Sequence, residues 1–214
     1  MGIQTIIDNA QYITVDKRRV SAQTISRSGR IKTAEVASAV PYRFKVGMHS
    51  GLTYSTNRGL LEDLDALDRT QEETIDIGKT NTGLSYITAY QGDSSGIHTL
   101  TINSATGNEL YVNATNAGSG TFLFKKGDFI QPSGTYRYPY QITADVAHTT
   151  GANVTLPLHR AFITQAGYTL GGKTIDKGVD VDFAVKMIQK PGYSIVPNDR
   201  IEFDTDFDLI EVIE

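Results

Sequence analysis

The chain has 214 residues, 20 Lys+Arg against 24 Asp+Glu for a net charge of −4, 39% hydrophobic residues, 20 Gly, 11 Tyr, and neither Cys nor Trp. This excludes a disulfide framework, thiol catalysis, an Fe–S centre and a thiolate zinc site, and the apolar fraction lies far above that of a disordered chain. At this length one large all-β domain or two small ones can each bury a core.

The first residues, Met1-Gly2-Ile3-Gln4-Thr5-Ile6-Ile7-Asp8, lack the basic start and apolar run of a signal peptide, and Ile6 stands where a myristoylation motif needs Ser or Thr. Synthesis in a cytoplasm without an export signal of its own is expected. Residues 15–32 then hold six bases (Lys17, Arg18, Arg19, Arg27, Arg30, Lys32) against Asp16 alone, which reads as a basic hairpin tipped by Ser26-Arg27-Ser28-Gly29-Arg30. Tyr42, Phe44, Val46 and Met48 alternate with Arg43, Lys45 and Gly47, the period of a half-buried antiparallel strand.

One helix is expected, over about 57–70: Leu60, Leu61, Leu64 and Leu67 fall on one stripe, and Ser55, Thr56 or Asn57 can cap it. Leu84, Tyr86, Thr88 and Tyr90 alternate as a further strand. The longest charge-free runs, 94–108 and 110–124, are rich in Thr, Asn and Gly and unsuited to crossing a bilayer. Tyr136, Tyr138 and Tyr140 form an alternating row, read either as half-buried packing or as an aromatic contact surface.

Toward the C-terminus, Val179, Val181, Phe183, Val185 and Met187 alternate with Asp180, Asp182, Ala184 and Lys186. A last strand is expected from Ile201 to Leu209, with Glu202, Asp204, Asp206 and Asp208 on its outer side. Residues 199–214 hold seven acids and one base, so the two ends of the chain are electrically opposite. Solvated faces explain such runs in most monomers. In an assembly, a basic hairpin meets an acidic edge on a neighbouring copy.

Several patterns resemble chemistry. Gly167-Tyr168-Thr169-Leu170-Gly171-Gly172-Lys173-Thr174 satisfies the phosphate-binding G-x-x-x-x-G-K-T pattern, but that loop needs a helix after it, and Ile175 to Met187 alternates as a strand. Gly92-Asp93-Ser94-Ser95-Gly96 satisfies G-x-S-x-G, again followed by strand-like residues, and His49, His98, His148 and His159 are scattered. Asp204-Thr205-Asp206-Phe207-Asp208 begins like a calcium loop but has Leu209 where glycine is required. Asp176, Asp180 and Asp182 form at most a weak oxygen site. The expectation is no catalytic residue, no cofactor and no metal.

Taken together, Val20 to Arg30, then Pro41-Tyr42-Arg43-Phe44-Lys45-Val46, then the acidic Leu-rich helix, resemble the N-terminal module of phage distal tail proteins, in which a segment of the type S-x-S/R-G-R…W/Y-R-F-x-V precedes a helix ending near LDR. Residues 81–91, the segment Phe124-Lys125-Lys126-Gly127-Asp128-Phe129-Ile130-Gln131, and residues 138–158 with the following His159 and Arg160 extend the likeness over most of the chain. Tyr42 stands where Trp is frequent, and a strand pair over about 97–112 is added.

The resemblance implies a mainly β fold, an antiparallel sandwich or barrel of tail-tube type with one short helix. Residues 1–92 would form one β domain and residues 93–214 its continuation or a second β subdomain. It further implies a virion structural protein assembled in the host cytoplasm, whose copies form a ring, commonly of six, between the tail tube protein and the baseplate hub or tip. No specific nucleic acid and no membrane is expected as a partner. Arg27, Arg30, Glu202, Asp204, Asp206 and Asp208 are the expected subunit or tail-protein contacts. The competing readings are a receptor- or glycan-binding tail module using the Tyr row, and a hydrolase resting on Ser94 or Lys173.

Overall fold

In the computed structural model, residues 2–17, 21–25, 27–35, 40–66, 71–93, 99–115, 122–147 and 153–214 are described. The chain opens on a short helix, α1 (Ile3–Asp8), that the sequence reading missed. Its signal is the i, i+3, i+4 spacing of Ile3, Ile6 and Ile7, all fully buried. Then come β1 (Ala10–Asp16), the hairpin strands β2 (Ser21–Ile25) and β3 (Ile31–Glu35), and β4 (Arg43–Met48), followed by α2 (Tyr54–Ala66) and β5 (Glu72–Asp76). Helix α2 buries Leu60, Leu61 and Leu64 as the stripe requires; Leu67 lies outside the described residues.

Residues 84–90 depart from expectation. A 3₁₀ turn occupies Ser85–Ile87 in place of a strand, with Leu84 buried and Tyr86 69% exposed. Local side chains capture the backbone here. Ser85 Oγ donates to Thr82 O (2.9 Å), Asn81 Oδ1 accepts the Gly83 N–H (3.1 Å), and Asn81 Nδ2 donates to Ile7 O (2.9 Å).

The middle of the chain supplies β6 (Thr99–Thr106), β7 (Glu109–Thr115), β8 (Phe122–Phe124), β9 (Phe129–Pro132), β10 (Tyr140–Gln141), β11 (Val146–Ala147), β12 (Asn153–Pro157) and β13 (Ile175–Lys177). They pair as β12-β7-β6, β10-β9-β13 and β11-β8, all antiparallel. Single bridges, Thr101 to Thr174 and Ile142 to Leu158, stitch these sheets together. Their shared core contains Ile102, Val112, Phe124, Ile130, Leu156 and all three tyrosines of the row, Tyr136, Tyr138 and Tyr140.

The last strands are β14 (Asp182–Gln189), β15 (Tyr193–Val196), β16 (Arg200–Phe203) and β17 (Phe207–Glu211). The main sheet has the order β1-β4-β17-β14-β5, antiparallel throughout, and packs against α1 and α2. Its core is aromatic: Tyr42, Phe44, Phe183 and Phe207 are fully buried, and the Phe183 ring meets Tyr42 and Phe44 edge-on at 5.5 and 5.1 Å. Val181, Phe183, Val185 and Met187 point inward as the alternation predicts, although Gly178–Asp180 is a 3₁₀ turn that separates β13 from β14.

The strand expected from Ile201 to Leu209 is two strands. β16 forms a hairpin with β15, while β17 joins the main sheet; the Asp204 N–H turns back to Gly192 O (3.0 Å), and Thr205 faces solvent. The chain is thus mainly β, made of open antiparallel sheets; none closes into a barrel among the described residues.

Candidate functional site: an acidic cleft, a basic hairpin and the joint behind them

The two cores meet at a polar joint. Arg160 is 2% exposed, and its guanidinium donates to both carboxylate oxygens of Glu211 (2.6 and 2.5 Å), to Val40 O (2.9 Å) and to Pro139 O (2.8 Å). Glu211, at the end of β17, also accepts the Tyr42 N–H (2.9 Å). The rings of Tyr42 and Tyr140 each lie 5.3 Å from the guanidinium carbon. Burial works against the Arg160 charge, but the bonds and charge of Glu211 outweigh it and hold the guanidinium above its ordinary value. Next to it, His159 Nδ1 accepts the Gln141 N–H (3.0 Å), so the ring is neutral with its proton on the buried Nε2. Burial, then Arg160, pulls His159 down to about 3. Gln131 links the cores a second time, accepting the Asp182 N–H (2.9 Å) and donating to Tyr136 O (3.0 Å).

Asp128 of the K-x-G-D segment has a comparable structural duty. Its buried carboxylate accepts the N–H groups of Lys125 (2.8 Å) and Gln91 (2.9 Å), which fixes the turn before β9.

The expected contact residues divide. Arg27 and Arg30 lie exposed at the turn between β2 and β3, where Gly29 adopts φ +76°, a conformation suited to glycine. β2 and β3 form a two-stranded sheet of their own, in register from Ser21–Glu35 to Ile25–Ile31. Glu202, Asp204 and Asp206 come together in a cleft of about 360 Å³ that Tyr12, Met48 and His49 also line. Tyr12 lies flat over Gly47, where a Cβ would collide with its ring, and its hydroxyl donates to Asp206 Oδ1 (2.7 Å). That bond raises the Tyr12 hydroxyl above its ordinary value.

Asp208 does not join them. It is 5% exposed and paired within the sheet to Arg43, whose Nε donates at 2.8 Å. Asp208 keeps its outer side, opposite Lys45 and beside Arg43, while Phe207 and Leu209 enter the core; its place on an interior strand of the main sheet, with the Arg43 side chain against it, is what covers it. The remaining terminal acids are also committed. Asp199 accepts from Ser55 at the start of α2, Glu211 holds Arg160, and Glu214 lies 3.5 Å from Arg137.

Lys173 is followed by β13 instead of a helix, and its ammonium lies 5.8 Å from the Tyr168 ring. Ser94, His98 and His148 lie outside the described residues. Asp176 and Asp182 are raised mainly by burial, with neighbouring aspartates adding to it, and no group of three His, Asp or Glu is placed to hold a metal among the described residues. The Tyr row is core: the Tyr136 hydroxyl bonds that of Tyr140 (2.6 Å) and the Ile163 carbonyl (2.6 Å).

Sequence reasoning did not single out Tyr12 or the Arg160–Glu211 pair. Arg160 was visible only as the end of Leu-Pro-Leu-His-Arg, and Glu211 only as one acid among seven. Neither models of known protein families nor curated proteins match this chain.

Proposed function

We propose that the chain is a phage virion structural protein whose copies close into a ring, commonly of six, joining the tail tube to the baseplate or tail tip. The observation that carries the reading is the hairpin β2–β3. A two-stranded sheet is marginal in water by itself, and this one ends in exposed Arg27 and Arg30 on a molecule where Glu202, Asp204 and Asp206 gather in a separate cleft. Basic and acidic surfaces at different places on one chain suit a head-to-tail contact between copies, the kind that generates rings. The resemblance of residues 11–78, 81–91, 124–131 and 138–160 to distal tail proteins supplies the setting: a virion, assembled in the host cytoplasm, with the tail tube protein and baseplate hub as neighbours.

The receptor- or glycan-binding alternative loses its main support, because Tyr136, Tyr138 and Tyr140 are buried. The reading is tested by light scattering on the purified full chain during size-exclusion chromatography. A closed multiple of the 23.4 kDa subunit is expected; a 23.4 kDa species at every concentration overturns it.

A further inference from the structure

The two edges of the main sheet differ. At β5, helix α1 closes the edge: Gln4 accepts the Asp76 N–H (2.9 Å) and donates to Asp76 O (3.0 Å), and the Ile3 N–H reaches Glu73 (2.5 Å). At β1 no described residue does so. Among the described residues none hydrogen-bonds to the outer backbone of Gln11 to Val15, which pairs on one side only, with β4. The strand also lacks the usual protections of an edge. It has no Pro and no Lys, its only charge is Asp16 at the end, and its one bulge, between Ala10 and Tyr12, leaves the rest regular. Ile13 and Val15 are half-buried, and Tyr12 is 46% exposed.

We infer that the outer edge of β1 is the seat of the β2–β3 hairpin of a second copy of this chain, with β2 adding antiparallel to β1 and the basic tip entering the acidic cleft beside Tyr12. The inference rests on the ring reading and specifies its interface. Lengths agree: the regular part of β1, Tyr12–Asp16, and β2, Ser21–Ile25, are each five residues. Antiparallel pairing is the more stable kind, and it is the direction that sends the hairpin tip toward the Ala10 end of β1. With Ile25 opposite Tyr12, Arg27 arrives roughly 7 Å further on, at two residues of extended chain. That is where Glu202, Asp204 and Asp206 line the cleft. The exposed Tyr12 ring offers an arginine a second attraction. A seated strand would also cover the half-exposed Ile13 and Val15.

Hydrogen exchange on the full chain, dilute and concentrated, tests this together with charge reversal. On assembly, the alternate amides of Tyr12–Asp16 that point away from β4, and those of Ser21–Ile25 that point away from β3, are expected to slow by roughly tenfold or more. Arg27→Glu with Arg30→Glu, and separately Glu202→Lys with Asp204→Lys, should each weaken association by roughly tenfold or more, and the four changes together should restore it. All four sites are exposed, so folding is preserved. Assembly without slowed exchange in β1, or no restoration in the combined variant, overturns this interface and leaves the ring reading standing. An edge already protected in the dilute monomer overturns it likewise. Absence of any assembly overturns both.

Discussion

At the residue scale the most consequential group is Arg160. A guanidinium is held almost out of solvent by one carboxylate and two carbonyls, between two tyrosine rings. Such a pair adds little over an apolar substitute, because desolvation cancels most of its attraction, yet breaking it strands a buried charge. Arg160→Ala should therefore cost about 3–5 kcal/mol in urea unfolding, and Arg160→Met with Glu211→Leu should recover only part of it, because the Tyr42 N–H and the Val40 and Pro139 carbonyls also lose these partners. Beside it, His159 is held near 3 against an unfolded value of about 6.5. A depressed histidine gives stability that is complete above the unfolded value and is lost as pH falls from about 6.5 toward 3. His159→Gln, which keeps an acceptor for the Gln141 N–H, should lose less stability over that window, with a difference of at most about 1.4 kcal/mol per pH unit. Parallel stability curves for the two proteins would contradict the buried neutral ring. None of this joint was legible in the sequence. Arg160 and Glu211 are 51 residues apart, and each looks, in isolation, like an ordinary surface charge.

At the scale of elements, period-two alternation was a sound guide wherever a strand has one face on a core. Tyr42, Phe44 and Val46 are fully buried, as are Val181, Phe183 and Val185. It misled where side chains offer the backbone a local alternative, as Asn81 and Ser85 do, and it did not reveal the break at Asp204–Asp206, across which Phe203, Phe207 and Leu209 keep the expected inner face. Helix α1 was missed because six residues give too few turns for a pattern to stand out; its role appears only once Gln4 is seen capping β5. Gln4→Ala should cost about 1–2 kcal/mol, the order expected when backbone groups lose partners, and should speed exchange of the Asp76 amide. Helix α2 is capped from outside. Ser55, one of the expected caps, instead donates its N–H to Asp199 Oδ1 (3.0 Å), on a turn where Asn198 and Asp199 both have positive φ. Asp199→Gly keeps that backbone and removes the carboxylate, so a loss of about 1 kcal/mol isolates the cap; no change in melting temperature would show that Asp199 does not serve α2.

At the scale of the whole molecule, the net charge of −4 conceals an asymmetry, and the structure sharpens what that asymmetry can mean. Of the seven acids in residues 199–214, Asp199, Asp208, Glu211 and Glu214 are occupied inside the chain. Glu202, Asp204 and Asp206 remain at the cleft, Asp206 taking the Tyr12 hydroxyl. The sequence showed an acidic end, but which of its acids are occupied depends on partners far away in the chain. The glycine-rich Gly167–Thr174 segment illustrates the converse. Its pattern suggests phosphate binding, whereas its context, strand instead of helix, was legible beforehand and is what the fold displays. A chain without disulfides, with one sheet edge closed by α1 and the other open among the described residues, and with a hairpin that forms its own small sheet, fits a subunit completed by its neighbours. Negative-stain electron microscopy of the purified full chain tests that claim most directly: particles should average to closed rings with a central hole, and a field of discrete single subunits at concentrations well above those of the chromatography would contradict it.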